Sequence, residues 1–521
     1  MTATEAGTPA PETADRAAAL RARLMSPLPA DRVWGWIGTL LVTAFGAFLR
    51  FDRLAVPHAI IFDETYYAKD AFSILNFGVE RNFVSNANSL ILAGNTHIFA
   101  PGGEYVVMPP LGKILIAAGE WLFGLTPFGW RFSAAVAGSA AILLICRIAR
   151  RMTRSTLLGC LAGLLMSLDG LEFVMSRTGL LDIFLMFFVL AAFGCLLIDR
   201  DMSRARLAEA VAARGSSGAG PRTGIRWWRV AAGFLLGCAC ACKWDGIWYI
   251  IAFAGLTIAW DVGARRAAGI SHYWRGALLR DGRWLPVTLG ALPVAVYIAS
   301  WSGWFASSVG YDRNYAAAQG FHTPVISALY SLFEYHVQML QFSVGLHAHH
   351  PYQSQPWNWL LLSRPVAYYY AAPTSGAACR ISPHCSQEVL AIGTPAIWWA
   401  SIPALIFCLG WWLLHRDWRP GAVVLAVAAG WLTWFPFVSR TKFFYYATEF
   451  EPFLILAIVL CLGLIIGPAR ASVARRSVGA AVAGAYVLVV LANFVYLYPI
   501  LAGKVIPYAS WLSRMWYHGW I

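Results

Sequence analysis

The chain has 521 residues, of which 59% are hydrophobic and only 13% charged. One soluble core cannot bury that much apolar surface, so the composition excludes a soluble globular protein and implies an integral membrane protein. The net charge of +14 would suit a nucleic-acid binder, but the basic residues are scattered through short loops between apolar runs, a pattern that orients helices in a bilayer and argues against a nucleic-acid partner.

Residues 1 to 33 are rich in Ala, Thr, Pro, Glu and Arg and lack an apolar run. They are expected to form a disordered cytoplasmic tail, not a cleavable signal peptide, ahead of a single transmembrane domain over residues 34 to 521. Eleven apolar spans follow, near residues 34–50, 132–148, 157–175, 180–198, 230–242, 246–260, 284–301, 396–414, 421–438, 450–466 and 478–500. The fold class expected is therefore an all-α polytopic membrane protein.

Arginine placement sets the orientation. Arg147, Arg150, Arg151 and Arg154, the seven arginines from Arg200 to Arg229, and Arg265, Arg266, Arg275, Arg280 and Arg283 all mark cytoplasmic loops. The amino terminus then lies inside and, after eleven crossings, the carboxyl terminus outside. Arginine-rich loops on both sides of Val230–Trp260 require an even number of crossings, so this stretch is a helical hairpin turned at Lys243-Trp244-Asp245-Gly246. Leu111–Phe123, behind Pro109-Pro110 and carrying Lys113 and Glu120, is too short and too charged to cross; it is expected to lie at the outer interface. The two sizeable hydrophilic regions, residues 51–131 and 302–395, both fall outside.

The first of these regions opens with Asp63-Glu64-Thr65-Tyr66-Tyr67, where Tyr67, Ala71, Ile74 and Leu75 recur at helical spacing up to Gly78. An aspartate before a helix is more often a cap than a catalyst. Here the amphipathic helix follows directly from a span, which holds Asp63 and Glu64 at headgroup depth, within reach of a lipid-borne substrate. Arg131, Lys243, Arg440 and Lys442 fall at outer ends of spans, where a long side chain either snorkels to the interface or binds a lipid phosphate. Arg177 and Asp182 flank the start of another span and are expected to pair with each other.

The second outer region holds His347, His349 and His350, then Tyr352, Trp357 and Trp359. No cysteine or carboxylate sits beside the histidines at ligand spacing, which argues against zinc. His350, Tyr352 and Trp357 are candidates to contact sugar or acceptor, or to anchor at the interface. Eight of the ten cysteines lie in apolar spans; Cys379 and Cys385 lie outside and are expected to form a short-loop disulfide.

Several strings, in order, carry a resemblance. Phe62-Asp63-Glu64-Thr65-Tyr66-Tyr67, Met108-Pro109-Pro110-Leu111-Gly112-Lys113, Gly119-Glu120-Trp121-Leu122-Phe123-Gly124 and Arg131 are followed by Ser176-Arg177-Thr178-Gly179-Leu180-Leu181-Asp182, Cys242-Lys243-Trp244-Asp245-Gly246 and His350-Pro351-Tyr352-Gln353-Ser354-Gln355-Pro356-Trp357-Asn358-Trp359. From Trp34 onward the chain resembles the protein O-mannosyltransferases of the GT-C class of membrane glycosyltransferases. Residues 302–395 leave no room for the large insertion of eukaryotic members, so the resemblance is to the compact bacterial form.

The resemblance implies a catalytic domain that moves mannose from polyprenyl-phosphate-mannose to Ser or Thr hydroxyls of secreted polypeptides at the outer face of the plasma membrane. It implies inversion, with Asp63 as base and Glu64 orienting the acceptor or supporting Asp63, and it favours Arg131 and Lys243 for the donor phosphate, with Arg440 and Lys442 close behind. Adjacent carboxylates are not the Asp-x-Asp clamp of sugar-nucleotide enzymes, so neither a metal nor another cofactor is expected. Partners would be the lipid donor, the polypeptide acceptor, membrane lipids and, through secreted acceptors, the secretion translocon. An enzyme moving another lipid-linked sugar or using a glycolipid acceptor is the nearest alternative. A transporter is distant, because it would place polar or broken helices near the midplane and repeat its halves.

Overall fold

Polar caps divide the apolar sequence into helices. The computed structural model describes residues 11–374, 379, 384–468 and 470–521. The chain begins with α1 (Pro11–Leu24), α2 (Arg32–Phe51), α3 (Glu64–Phe77), α4 (Ala87–Leu92) and α5 (Leu111–Phe123). Thr126 caps α6 (Pro127–Thr153), its hydroxyl accepting from the Gly129 amide at 3.1 Å, and Ser155 caps α7 (Thr156–Ser167) through the Leu158 amide. Asp169 caps α8 (Gly170–Met175), accepting from the Leu171 amide at 2.9 Å.

There follow α9 (Asp182–Arg214), α10 (Trp227–Cys242), α11 (Gly246–Ala267), α12 (Tyr273–Gly276), α13 (Leu292–Ser300), α14 (Ser302–Ala306), α15 (Tyr315–Ala318) and α16 (Pro324–Gly345). The chain finishes with α17 (Pro395–His415), α18 (Trp418–Trp431), α19 (Glu451–Ile466), α20 (Val473–Leu501) and α21 (Tyr508–Leu512). Two small antiparallel sheets join them. β1 (Arg81–Phe83) pairs with β2 (Phe99–Gly103), and β4 (Cys385–Ala391) lies between β3 (Val366–Ala371) and β5 (Val505–Pro507).

Six helices are long and apolar enough to cross a membrane, namely α2, α6, α9, α11, α17 and α20, and Tyr273–Trp284 with Pro286–Ser300 makes a seventh if this pair, bent by 41°, is one span. α7, α10 and α19 are apolar but shorter. Every residue of α19 from Glu451 to Leu460 is buried, as expected for a helix that is hydrophobic all round. At the perimeter the pattern inverts. α2, α17 and α20 turn Leu41, Phe48, Ile406, Leu414 and Leu488 outward, so the bundle is as oily outside as inside. Exposed apolar surface of that extent belongs in lipid, which makes this a multi-pass membrane protein.

Several expectations need correction. Residues 11–24 of the supposed disordered tail are helical, and Leu24 is buried in a cluster with Leu207, Ala208 and Val211 of α9; residues 1–10 lie outside the described residues. An apolar-run criterion misses such a helix because only a few of its residues need an apolar partner. The span expected over 157–175 breaks at Ser167, where the Asp169 cap restarts the chain as α8, and the one over 421–438 leaves the α-helix at Trp431. Arg177 does not pair with Asp182. Its Nη1 donates to the carbonyls of Leu49, Arg50 and Asp52 and its Nη2 to that of Arg53, closing the carboxyl end of α2.

Other features match or extend the reading. The hairpin turns at Lys243–Asp245, between α10 and α11, and α5 has the expected bounds. Its Lys113 is buried, however, with Nζ 2.5 Å from Glu80 Oε1. Cys379 and Cys385 are joined. The second outer region also carries α16, whose exposed Val325, Ile326, Leu329 and Phe333 give it an apolar face within a stretch expected to be hydrophilic.

The bundle has two distinguishable ends. Arg364 Nη1 donates to the Gly519 and Ile521 carbonyls, and β5 pairs with β4, so the carboxyl-terminal segment sits with the second outer region. α1 docks on the far half of α9, where Arg204 Nη1 donates to the Leu24 carbonyl.

Removing the Arg177 guanidinium would strand four carbonyls beside a buried position, so Arg177→Ala is expected to cost about 2–4 kcal/mol. The measurement is the apparent melting temperature of the purified protein in detergent. Arg177→Lys should recover less than half of the loss, because an ammonium cannot fork across four acceptors.

Candidate active site

The site is built from the turn between α2 and α3. Arg131, fully buried at the start of α6, spends all five of its N–H donors on this turn. Nε and Nη2 reach Glu64 Oε1 and Oε2 at 2.7 and 2.9 Å. Nη1 donates to the carbonyls of Leu54 and Pro57, and Nη2 also to that of Ala59. Glu64, equally buried, accepts in addition from the Gly179 and Ile61 amides, both at 3.0 Å. Sequence reasoning placed Arg131 on a substrate phosphate; the structure leaves it no donor for one and makes it a positioning residue.

Directly before Asp63, Phe62 has a left-handed backbone with φ 47°, strained for a residue with a side chain. Its ring stacks on Tyr368 at 4.6 Å and meets Tyr445 and Phe443 edge-on at 5.5 and 6.1 Å. Asp63 occupies the N-cap position of α3, yet its side chain accepts no helix amide. Its Oδ2 instead accepts from the Tyr445 hydroxyl at 3.2 Å. Burial, reinforced by the nearby charge of Asp182 and opposed by Lys243, pushes the Asp63 carboxyl up to about 6. A half-buried carboxylate, free of capping duty and titrating near neutrality, suits a general base.

The other candidates gather around Tyr446. Lys243 Nζ bonds Asp182 Oδ1 at 2.8 Å and lies 4.6 Å from the Tyr446 ring. Burial lowers the proton affinity of Lys243, but Asp182, Tyr446 and Asp245 outweigh it and hold the ammonium above the ordinary lysine value. Arg440 stands 5.9 Å from the same ring and 5.1 Å from Trp434, with Nε on the Ser343 carbonyl and Nη1 on that of Thr441. Its Nη2 has no protein acceptor among the described residues. Lys442 Nζ bonds the Phe437 carbonyl; burial and Arg440 together hold it below the ordinary lysine value. Lys243, Arg440 and Lys442 thus keep donors in reserve, unlike Arg131.

The histidine-aromatic string of the second outer region serves as a brace. The Ser354 amide donates to the Lys442 carbonyl, Gln355 Nε2 to that of Val438, and Trp359 Nε1 to the Ser354 hydroxyl. His350 meets Phe443 edge-on at 4.9 Å and its Nδ1 accepts from the Tyr352 amide, while Arg364 covers the Tyr352 ring at 5.3 Å. Burial and His349 hold His350 below its ordinary value. His350 is therefore one aromatic ring removed from Phe62. Trp357 is not brought to Asp63; it is 46% exposed and leans on Phe435.

Of the residues that build the site, the sequence reading takes Tyr445 and Tyr446 only as part of a run of two cations and four aromatics suited to a sugar phosphate, and Tyr368 escapes it altogether. Tyr445 and Tyr446 stand in plain view after Ser439-Arg440-Thr441-Lys442, where alternating cations and aromatics are the available signal. Tyr368 lies on β3, and nothing in its local sequence connects it with Phe62.

Comparison with known proteins identifies the family and the fold. Residues 40–301 match the family model described as dolichyl-phosphate-mannose-protein mannosyltransferase, and residues 328–520 match the C-terminal four-span region of protein O-mannosyltransferase. The chain is 41% identical over 508 residues to a polyprenol-phosphate-mannose–protein mannosyltransferase of Mycolicibacterium smegmatis, covering 94% of each chain. It is 33% identical to a protein of the same name from Corynebacterium glutamicum, covering 95% of this chain and 96% of that one. In fold it is similar to the solved Saccharomyces cerevisiae protein O-mannosyltransferase Pmt1-Pmt2 complex bound to the sugar donor, with a TM-score of 0.69, 15% identity, and coverage of 97% of this chain and 94% of that chain. With matches that run along almost its whole length, the chain belongs to the dolichyl-phosphate-mannose-protein mannosyltransferase family.

Proposed function

We propose that this protein transfers mannose from polyprenyl-phosphate-mannose to a Ser or Thr hydroxyl of a polypeptide, at the extracytoplasmic face of the plasma membrane, with Asp63 as the base. The observation that carries the reading is a carboxylate that caps no helix amide and bonds the Tyr445 hydroxyl, in the turn between α2 and α3, with Lys243 near enough to act on it through its charge. The names of the full-length relatives supply the donor and acceptor classes.

In this mechanism Asp63 takes the proton of the acceptor hydroxyl as its oxygen attacks the anomeric carbon. The bond from that carbon to the phosphate oxygen breaks on the opposite side, which inverts the centre. The departing polyprenyl phosphate needs no proton, only charge stabilisation, and Lys243, Arg440 and Lys442 provide it. Glu64 and Arg131 hold the turn that aims Asp63. Tyr445 keeps the carboxylate oriented, and His350 and Tyr352 border the same aromatic wall. A secreted acceptor would arrive unfolded at this face, which favours proximity to the translocon.

Asp63→Asn is expected to lower transfer to a Ser/Thr-rich peptide by about 10²- to 10⁴-fold. Its melting temperature should stay at the unmutated value, because the Asp63 side chain caps nothing. Glu64→Gln, by contrast, leaves Arg131 buried and underpaired and should lower melting temperature and transfer together. Unchanged transfer by Asp63→Asn would remove the proposed base.

The base must be ionised to act, so kcat/KM should rise with pH and reach half its plateau near the Asp63 value of about 6. Asp182 raises that value by like-charge repulsion; Asp182→Asn should therefore move the midpoint down, and Lys243→Met should move it up.

Arg440→Gln removes a cation that binds the donor phosphate rather than the hydroxyl. It should raise the KM for the lipid donor about tenfold, with the pH midpoint unmoved.

A further inference from the structure

A cavity of about 330 Å³ lies at the other end of the bundle, lined by Arg23, Arg154, Arg200, Arg204 and Arg419 with Asp417. α9 serves as the ruler. Asp182 at its first residue bonds Lys243 of the active site, and Arg200 and Arg204 lie 18 and 22 residues further on, about 27 and 33 Å at 1.5 Å per residue. That is the thickness of a hydrocarbon layer of about 30 Å, so the cavity opens at the opposite membrane face from Asp63.

Its charge is unbalanced. Asp417 is taken by Arg419 at 2.5 Å. Asp201, just beside the cavity, is shared by Arg151, Arg154 and Arg200 at 2.7, 3.0 and 3.2 Å. Neither Arg23 nor Arg204 has an ion pair among the described residues. Nη1 of Arg154 and Nε of Arg200 and of Arg204 are buried without any hydrogen-bond partner, although Arg200 is only 5% exposed. Burying guanidinium donors unsatisfied, side by side, is costly; the arrangement is explained if an anion completes it.

The surroundings indicate which anion. Met152 and Trp418 form part of the lining, an apolar surface beside the arginines. α1 roofs this end of the bundle and exposes Arg16, Arg21 and Arg23. A helix that exposes three arginines and Asp15, with the arginines Arg21 and Arg23 at the end beside an arginine pocket with an apolar flank, suits the phosphate of an anionic lipid whose chains enter the bilayer alongside. We propose that this cavity is a binding site for a phosphate group, carried by an anionic lipid headgroup, at the face opposite the active site.

The test is native mass spectrometry of the purified full chain incubated with phosphatidylglycerol or phosphatidylcholine, with and without excess inorganic phosphate. Phosphatidylglycerol should be retained about tenfold better than phosphatidylcholine, and Arg204→Gln and Arg23→Glu should each reduce that preference severalfold. Resistance to inorganic phosphate assigns the lipid as the source, whereas displacement by it assigns the phosphate group alone, and both outcomes support the site. Should Arg204→Gln lower the melting temperature, the exposed Arg23→Glu variant decides. Equal retention of the two lipids, or phosphatidylglycerol retention unchanged in both variants, overturns the proposal.

Discussion

The buried pair of Arg131 and Glu64 is the constraint on which the site rests. Taking two charges out of water is costly unless every donor and acceptor is met. Here five bonds from Arg131 and two further amides to Glu64 meet them. Because three of those bonds go to the carbonyls of Leu54, Pro57 and Ala59, the pair also determines the path of the chain between the end of α2 and the start of α3. Asp63 is bonded to Glu64 in sequence, so locking one carboxylate sets the direction of the other. Arg177 does the same for the last turn of α2, and together the two arginines replace the hydrogen bonds that an irregular turn near the membrane would otherwise lack.

The ionised groups nearby are arranged so that no cation bonds Asp63 directly. Had Lys243 paired with it, the carboxyl would have been held far below neutrality and would have lost its affinity for a proton. Lys243 is bonded instead to Asp182, and the contact made with Asp63 is a neutral phenol, Tyr445. The Tyr446 ring accommodates Lys243 and Arg440 within reach of its face, which adds to the hold that Asp182 has on Lys243. Asp63 and Lys243 therefore act on one another through charge without sharing a hydrogen bond.

The same helices serve both membrane faces. α6 carries Arg131 near its start and Arg150, Arg151 and Arg154 at its far end; α9 runs from Asp182 to the arginine-lined cavity. Between those ends α19 is enclosed in the middle, with the buried carboxylates of Asp169, Glu172 and Glu451 close to its start, and α2, α17 and α20 face outward. The arginines of α6 and α9 thus lie in two layers separated by the length of a span.

The amino-acid sequence by itself determined the class of protein, the positions of most apolar helices and the break at Lys243–Asp245, and it singled out Asp63, Lys243, Arg440 and Lys442 as candidates. These are legible because hydropathy, caps and charges at span ends are local and follow from solvent alone. The tertiary structure decided what each charge is paired with. Arg131 and Arg177 look like interface cations in sequence, yet backbone carbonyls of a distant turn consume them; Lys243 chose Asp182 from another helix, and Tyr368 reached Phe62 from a strand three hundred residues away. Helix α1 likewise packs its Leu24 into a cluster made by residues near 207–211 and 264–270, far along the chain. Pairing between elements depends on packing geometry, which no local pattern of hydropathy or charge encodes.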